Sequence, residues 1–413
     1  MLTALVLAII YRKFLPAHQV SVTVRHVCAV TAGLALGFFC FGKQMCHLFA
    51  QAGSCYLIMR FSPATYVHKG VLLVALGYLS VMHILRMIYD YGGYTLDVTG
   101  PLMVFTQKLT SLAFSVHDGL YKDVEDLSED QKDQAVTRMP GPLEFCSYLF
   151  NFQGILVGPQ CFFNDYITFV DGSLLHCPED MDENGQERHS PFGPSTKKPI
   201  FSKLLIAAGS IAVTFTIAPM FPPSLNADQA HLKNSTFLYR VLFVVLSVAL
   251  SKWRYYFGWK LGEAVNNASG FGFNGYNENG VAKWDLITNV NIYEIETATS
   301  LKVLVDNWNI QTGVWLRRVC YDRAPFSPTF LTYMLSALWH GYYPGYYLTF
   351  VSAAFFTLAG RCLRKNIRPF FLMSPAKKAI YGCVTWAGTH LSLGYLIVPF
   401  CLLEFWPSFY YYQ

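Results

Sequence analysis

Long stretches of the chain contain no Asp, Glu, Lys or Arg, and they predict its architecture. Three of them cover residues 204–227, 324–360 and 379–403. A helix needs about 20 mainly apolar residues to cross the core of a bilayer, and each stretch is long enough to do so. The pattern therefore predicts an all-α polytopic membrane protein.

The stretch 324–360 is too long for one span. As a straight helix it would be roughly 55 Å long, nearly twice the thickness of a bilayer core. It must therefore fold back, and the Gly341–Gly345 sequence, which contains Pro344, predicts the bend. Two spans follow from this bend, one over 330–341 with its flanks and one over 346–360.

Further apolar segments predict the other helices, at 26–42, 44–59, 69–86, 98–117 and 237–257, with a short one at 1–11. The total is about nine or ten spans. We expect them to form one membrane-embedded domain over 1–413, shortened at both termini, because each end of the chain lies in an apolar segment.

Residues 145–164 also lack charge, but they contain amide side chains, glycines and a proline. Exposed polar groups and irregular backbone are costly in lipid, where nothing else can satisfy their hydrogen bonds. We therefore expect this segment to be re-entrant or buried among other helices.

Six basic residues predict how the chain is oriented. They crowd the connection between two strong spans: Arg361, Arg364, Lys365, Arg368, Lys377 and Lys378. Basic connections are typically cytoplasmic. The bend at 341–345 is then luminal, and residues 265–323 are cytoplasmic.

Composition excludes several classes of protein. The chain is 53% apolar and 14% charged, against about 25% charged in a soluble domain. Its net charge of +5 is too small to indicate nucleic-acid binding. The 11 cysteines form no CxxC pair, and many lie in apolar segments, so we interpret them as buried hydrophobic residues. No metal site is predicted.

Several histidines lie in or near apolar segments: His26, His47, His83, His117, His340 and His390. For any one of them, a hydrogen-bonded structural role is the simplest interpretation. His340 differs because it stands at the break in the long apolar stretch, beside a glycine where a substrate could approach. An imidazole has the right unperturbed pKa for general base catalysis near neutrality.

A second unusual segment begins at Asp306. At helical spacing, Trp308 and Trp315 would share one face, which is typical of an amphipathic helix lying on the membrane surface. The alternative is a functional segment. In that case the amide of Asn309 offers both donors and an acceptor, and nearby arginines could bind phosphates.

Four motifs resemble those of one enzyme family. Residues 339–350 read WHGYYPGYYLTF and match the WHGxxxGYxxxF motif of the membrane-bound O-acyltransferase family. The pair Trp308-Asn309 resembles the segment that holds the family's motif asparagine. Trp284-Asp285 resembles its WD motif, and 267–273 resembles the segment before it. The resemblance is strongest to the lysophospholipid acyltransferase branch, particularly lysophosphatidylethanolamine and lysophosphatidylserine acyltransferases.

The resemblance implies a reaction and its site. A fatty acyl group would pass from acyl-CoA to the free hydroxyl of a lysophospholipid, of the ethanolamine, serine or choline type. This reaction remodels phospholipids in the endoplasmic reticulum membrane and needs no cofactor. His340 would be the general base, and Asn309 would donate to the oxyanion or orient a substrate.

The resemblance also implies an internal chamber. Soluble CoA would enter it from the cytoplasm and the lysophospholipid from the bilayer. Residues expected to bind these substrates are Trp308, Gln311, Arg317, Arg318, Ser336 and Trp339. Ser336 lies four residues before His340 on the same helical face. It could contact the histidine or the thioester sulfur, or simply bond back to its own helix.

Two other functions stay open. Another branch of the family acylates a protein or peptide. A channel or transporter could use His340 as a proton or ion site, although acidic residues or repeated broken helices would then be typical at mid-membrane, and the sequence shows neither. The oligomeric state is left open.

Overall fold

A computed structural model of the chain describes residues 1–93, 95–175 and 193–413. Within these ranges the chain forms helices and no strand, and two isolated β-bridges join Tyr276 to Ala282 and Val290 to Trp308. In chain order the helices are α1 (Leu2–Phe14), α2 (Val22–Phe41), α3 (Met45–Phe61), α4 (Val67–Tyr89), α5 (Thr99–Tyr121), α6 (Glu129–Gln134), α7 (Pro142–Phe150), α8 (Phe163–Asp171), α9 (Lys197–Thr216), α10 (Gln229–Lys233), α11 (Phe237–Ser251), α12 (Trp253–Ser269), α13 (Ile292–Glu296), α14 (Leu301–Asn307), α15 (Ile310–Val319), α16 (Pro328–His340), α17 (Pro344–Ile367), α18 (Pro375–Leu402) and α19 (Phe405–Tyr412).

Among the residues that the structure describes, four helical segments are long and apolar enough to cross a membrane: Val22–Phe61, Val67–Tyr89, Lys197–Ala227 and Pro344–Phe371. The first contains α2 and α3, which part where predicted, at Gly42 with its positive φ of 51°. The chain is thus a multi-pass, all-α membrane protein, as the apolar pattern predicted. The total of nine or ten spans and the orientation of the chain stay predictions.

Contacts divide the chain into two compact units, and the first comprises Met1–Met82, Tyr94–Ile206 and Gly258–Asn289. Its central helix is α5, which is buried along most of its length. Helix α2 approaches the end of α7 so closely that a Cβ on Gly33 would lie 1.7 Å from the carbonyl oxygen of Phe150. The irregular residues after α7 are almost entirely buried, which confirms the expected burial of 145–164.

The second unit comprises His83–Gly93, Ala207–Phe257 and Val290–Gln413. Its helices α16, α17 and α18 pack in succession, and α11 packs on α18. Helix α16 ends at His340, Gly341 follows with a φ of 126°, and α17 begins at Pro344. The predicted bend is therefore confirmed. The expectation of one domain over 1–413 stays a prediction.

The prediction of a single helix over 237–257 is wrong. Helix α11 ends at Ser251 and α12 begins at Trp253. The apolar run ends here at Lys252 and Arg254, but both residue types are good helix formers and do not by themselves predict a break. The ammonium group of Lys252 lies 2.7 Å from the Glu296 carboxylate, and this distant ion pair holds the chain where the two helices part.

Candidate active site

His340 is the last residue of α16, and its ring is oriented by its own helix. Its Nδ1 atom lies 2.7 Å from the main-chain carbonyl oxygen of Ser336. A carbonyl oxygen can only accept, so Nδ1 carries the hydrogen of this bond. In the neutral ring the lone pair is then on Nε2, the nitrogen that can take a proton from a substrate. Ser336 therefore reaches the histidine through its main chain.

Aromatic rings surround the imidazole of His340. The ring centroid of Trp339 lies 4.6 Å away, that of Phe350 4.9 Å, that of Phe400 5.5 Å and that of Tyr346 6.1 Å. Three of these contacts are edge-on. This apolar wall limits water around the ring and restricts its rotation.

A second histidine lies at the same helix end. The Nε2 atom of His83, in α4, is 3.0 Å from the main-chain carbonyl oxygen of Trp339. Its ring also packs on Gly341, where an added Cβ would lie 3.2 Å from Nδ1 of His83. Both histidines were candidates in the sequence, but nothing local separates His83 from the other histidines in apolar segments.

Asn309 lies in a turn between two short helices. Helix α14 ends at Asn307, α15 begins at Ile310, and Asn309 has left-handed backbone angles, with φ 51° and ψ 53°. Residues that precede both helices hold the turn in place. Trp308 forms a β-bridge with Val290, and the amide of Asn291 donates to the carbonyl of Asn307 at 3.1 Å.

The expectation that Trp308 and Trp315 share a helical face is therefore wrong, because a turn separates them. Trp308 instead lies against the rings of Tyr255 and Tyr256. Trp315 is fully buried, so it is not a membrane anchor on a surface helix. Asn309 itself is half-buried.

The two motif segments meet through a pair of tryptophans. Helix α15 buries Gln311, Trp315 and a neighbouring threonine, and the ring of Trp315 lies 5.8 Å from that of Trp339. Trp339 is buried and directly precedes His340. The segment that begins at Asn309 thus packs directly on the helix that carries the histidine.

The two predicted phosphate-binding arginines differ in their exposure to solvent. Arg317 is exposed, and its Nε lies 3.2 Å from a carboxylate oxygen of Asp322. Arg318 is half-buried, and its carbonyl accepts a hydrogen bond from Nε of Arg323 at 2.7 Å. Arg317 is therefore the arginine of this pair that faces solvent.

A polar network supports the turn of Asn309, and the sequence did not predict it. The carboxylate of Glu296 accepts hydrogen bonds from the hydroxyl of Tyr256 at 2.6 Å and from Lys252 at 2.7 Å. The ring of Tyr256 in turn contacts Trp308. These residues are too far apart in the chain for spacing to reveal them.

The first unit holds a buried ionic cluster that sequence reasoning also missed. The carboxylate of Glu263, fully buried, lies 3.1 Å from Lys203 and 2.9 Å from Lys260, and it accepts the main-chain N–H of Asn289 at 2.9 Å. Lys203 also donates to the carbonyl of Trp284, in the WD motif, at 3.1 Å. A lysine in the apolar helix α9 was the available signal, since charges in such helices are costly.

No three His, Cys, Asp or Glu side chains come together as metal ligands in the part of the chain that the structure describes. The expectation of no metal stays a prediction.

The fold and the site define a multi-pass, all-helical membrane protein with a histidine at a broken helix end. A model of the membrane-bound O-acyltransferase family matches residues 83–398. The chain therefore belongs to that family, as its motifs predicted.

Relatives extend the match along the chain. A rat membrane-bound glycerophospholipid O-acyltransferase 2 is 45% identical over 100% of this chain and 80% of its own length. The human membrane-bound glycerophospholipid O-acyltransferase 1 is 43% identical over 98% of this chain and 83% of its own length. A Drosophila lysophospholipid acyltransferase 6 is 39% identical over 98% of this chain and 57% of its own length.

Proposed function

We propose that this membrane-bound O-acyltransferase moves a fatty acyl group from acyl-CoA to the free hydroxyl of a lysophospholipid. The names of its relatives, glycerophospholipid O-acyltransferase and lysophospholipid acyltransferase, support the acceptor. Lysophosphatidylethanolamine and lysophosphatidylserine are the proposed headgroups, with lysophosphatidylcholine a further acceptor. The endoplasmic reticulum membrane is the proposed location.

The observation that carries the proposed mechanism is the bond from His340 Nδ1 to the Ser336 carbonyl. It leaves Nε2 to remove the proton of the glycerol hydroxyl as its oxygen attacks the thioester carbon. A hydroxyl is a weak nucleophile, so a positioned base is needed at this step. When the tetrahedral intermediate collapses, the C–S bond breaks and the imidazolium returns the proton to the CoA thiolate. No covalent acyl-enzyme is required.

Attack on the thioester places a negative charge on the carbonyl oxygen. The side-chain amide of Asn309 can donate to it, and a preorganised donor is most effective where water is limited. The left-handed turn and the contact between Trp315 and Trp339 hold this segment on the histidine helix. Orientation of the acceptor is the alternative role for the amide.

Acyl-CoA is the proposed donor because arginines lie near the site. Its leaving group, CoA, carries phosphates, and arginine guanidinium groups bind phosphates well. Arg317 is an exposed cation in the helix that follows Asn309, and Arg318 comes next in the chain. Trp308, Gln311, Trp339 and Ser336 are proposed to shape the substrate site, since all four lie on the helices or the turn that carry His340 and Asn309.

The test is transfer from radiolabelled oleoyl-CoA by the purified protein to a panel of lysophospholipids and, in parallel, to peptides. We expect transfer to lysophospholipids that His340→Ala lowers by about 10²–10⁴. His26→Ala is the control, because it removes a buried histidine of the other unit. Acylation of peptides alone would favour the protein-acylating branch, and a His340→Ala protein that loses only a few-fold in rate would refute the mechanism.

A further inference from the structure

The connection between α17 and α18 is a strongly cationic surface. Four basic side chains line a shallow concave site that is largely open to its surroundings, together with one proline and one leucine: Arg361, Arg364, Lys365, Arg368, Pro369 and Leu372. Two further cations, Lys377 and Lys378, are exposed in the first turn of α18. We call residues 361–378 the cationic connection.

This charge is not balanced by the protein. The sequence from 344 to 403 contains no Asp or Glu. Among the residues that the structure describes, no acidic side chain pairs with any of these six cations, and Arg361 donates instead to the hydroxyl of Thr329 at 3.0 Å. The exposed cation Lys302, by contrast, pairs with the carboxylate of Asp306. A concave site with four unbalanced cations attracts an anion.

The helix dipole explains the positions of only some of these cations. Arg364 and Lys365 lie in the last turn of α17, where the helix dipole favours positive charge. Lys377 and Lys378 lie in the first turn of α18, at the N-terminal end of that helix. There the helix dipole disfavours positive charge. An anion between the two helix ends would offset that repulsion.

Exposed apolar side chains alternate with the cations. Phe370 is 70% exposed and Met373 is 83% exposed. The cationic connection also begins directly after the apolar part of α17, residues 344–360, which is about 25 Å long at the rise of a helix and matches a bilayer core. Cations and large apolar groups together at that depth fit the headgroup layer of a membrane, into which the apolar groups can insert.

We propose that the cationic connection binds the phosphomonoester headgroup of an anionic membrane lipid. A phosphomonoester carries close to two negative charges at neutral pH, and arginine guanidinium groups bind phosphate oxygens in pairs. The four cations of the concave site match this charge better than they match a zwitterionic headgroup. Arg361 contacts Thr329 near the start of α16, whereas His340 ends that helix. The site is therefore separate from His340, and the proposal stands or falls independently of the acyl-transfer reaction.

The test uses purified protein in a neutral detergent and fluorescently labelled phosphatidic acid, whose binding is followed by anisotropy. Neutralising three cations of the site, in Arg364→Gln/Lys365→Gln/Arg368→Gln, should weaken binding by about 100-fold, given the contribution of each basic residue near anionic lipid. Labelled phosphatidylcholine should bind no better to the normal protein than to this variant.

The matched control is Lys43→Gln/Lys69→Gln/Lys233→Gln, which neutralises three exposed but scattered lysines and should keep the affinity for phosphatidic acid. Equal binding by the triple variant of the site, or equal loss in the control, would overturn the proposal. Displacement of the lipid by an equal concentration of CoA would also overturn it, because the site would then belong to the acyl donor. If the triple variant does not fold, Arg368→Gln alone should still weaken binding several-fold.

Discussion

His83 donates a hydrogen bond from Nε2 to the main-chain carbonyl of Trp339 at 3.0 Å, and so fixes the residue directly before His340. The carbonyls in the last turn of a helix have no partner within that helix. A histidine from α4 satisfies this one and packs on Gly341. A residue of another helix, α4, thereby holds the end of α16 in place.

We expect His83→Phe, which keeps a ring but removes the donor, to lower kcat up to about tenfold, the equilibrium value of one hydrogen bond. The KM values of both substrates should stay unchanged, because His83 is a positioning residue. His83→Gln, which restores a donor, should recover part of the rate. Equal losses in both variants, measured by initial rates on folded protein, would contradict this role.

His340→Ala should lower the rate by about 10²–10⁴, the contribution of one general base. The variant should keep its thermal unfolding temperature and its binding of acyl-CoA. A loss of only a few-fold would remove His340 from the mechanism.

Asn309 needs a substitution that separates its amide from its backbone. Its φ of 51° disfavours alanine, whereas glycine adopts such angles readily. Asn309→Gly should therefore keep the fold and lower the rate by about 10²–10³, as for a lost oxyanion donor. Combined with His340→Ala, it should cost much less than the product of the single losses, because the proposed mechanism has both residues act in one transition state. Multiplicative losses would argue for separate roles.

The two glycines of the 339–350 motif should respond differently to alanine. A Cβ on Gly345 would lie 2.1 Å from the carbonyl oxygen of Pro399, so Gly345→Ala should destabilise the protein by about 1–3 kcal/mol through overpacking. Gly341 has a φ of 126°, and its Cβ would meet His83. Gly341→Ala should therefore displace the end of α16 and reduce activity. Thermal unfolding and initial rates distinguish the two effects, and a fully active, stable Gly341→Ala protein would contradict the second.

Arg317→Gln should raise the KM for acyl-CoA more than the KM for the lysophospholipid, if the guanidinium binds CoA phosphates. Asp322→Asn is the control, since it breaks the same ion pair while keeping the charge of Arg317. We expect Asp322→Asn to leave the KM for acyl-CoA unchanged or lower it. Equal increases in both variants would show that the ion pair, and not the cation, matters.

Local sequence predicted the elements whose causes are local. The bend after His340 follows from Gly341 and Pro344, and the break between α2 and α3 follows from Gly42, since each residue restricts or frees its own backbone. The break between α11 and α12 at Lys252 and the turn that follows Trp308 depend on distant partners, Glu296 and Val290. Helical periodicity contains no information about such partners.

The candidate site also combines features with local causes and features that depend on distant partners. The motifs identified His340 and Asn309 as candidates, but the nitrogen of His340 that is free to act follows only from the carbonyl of Ser336. His83 could not be selected, because its bond to Trp339 joins α4 to α16 across most of the chain. A hydrogen bond between remote segments leaves no spacing pattern in either.

The ion pair of Lys203 and Glu263 has a consequence for how the protein is made. Helix α9 leaves the ribosome before α12 does, so the ammonium of Lys203 reaches the membrane before the carboxylate that neutralises it has been synthesised. A charge without a partner is costly in a transmembrane helix. Helix α9 should therefore wait near the insertion machinery or in a shifted position, and take its final depth in the bilayer only when α12 arrives.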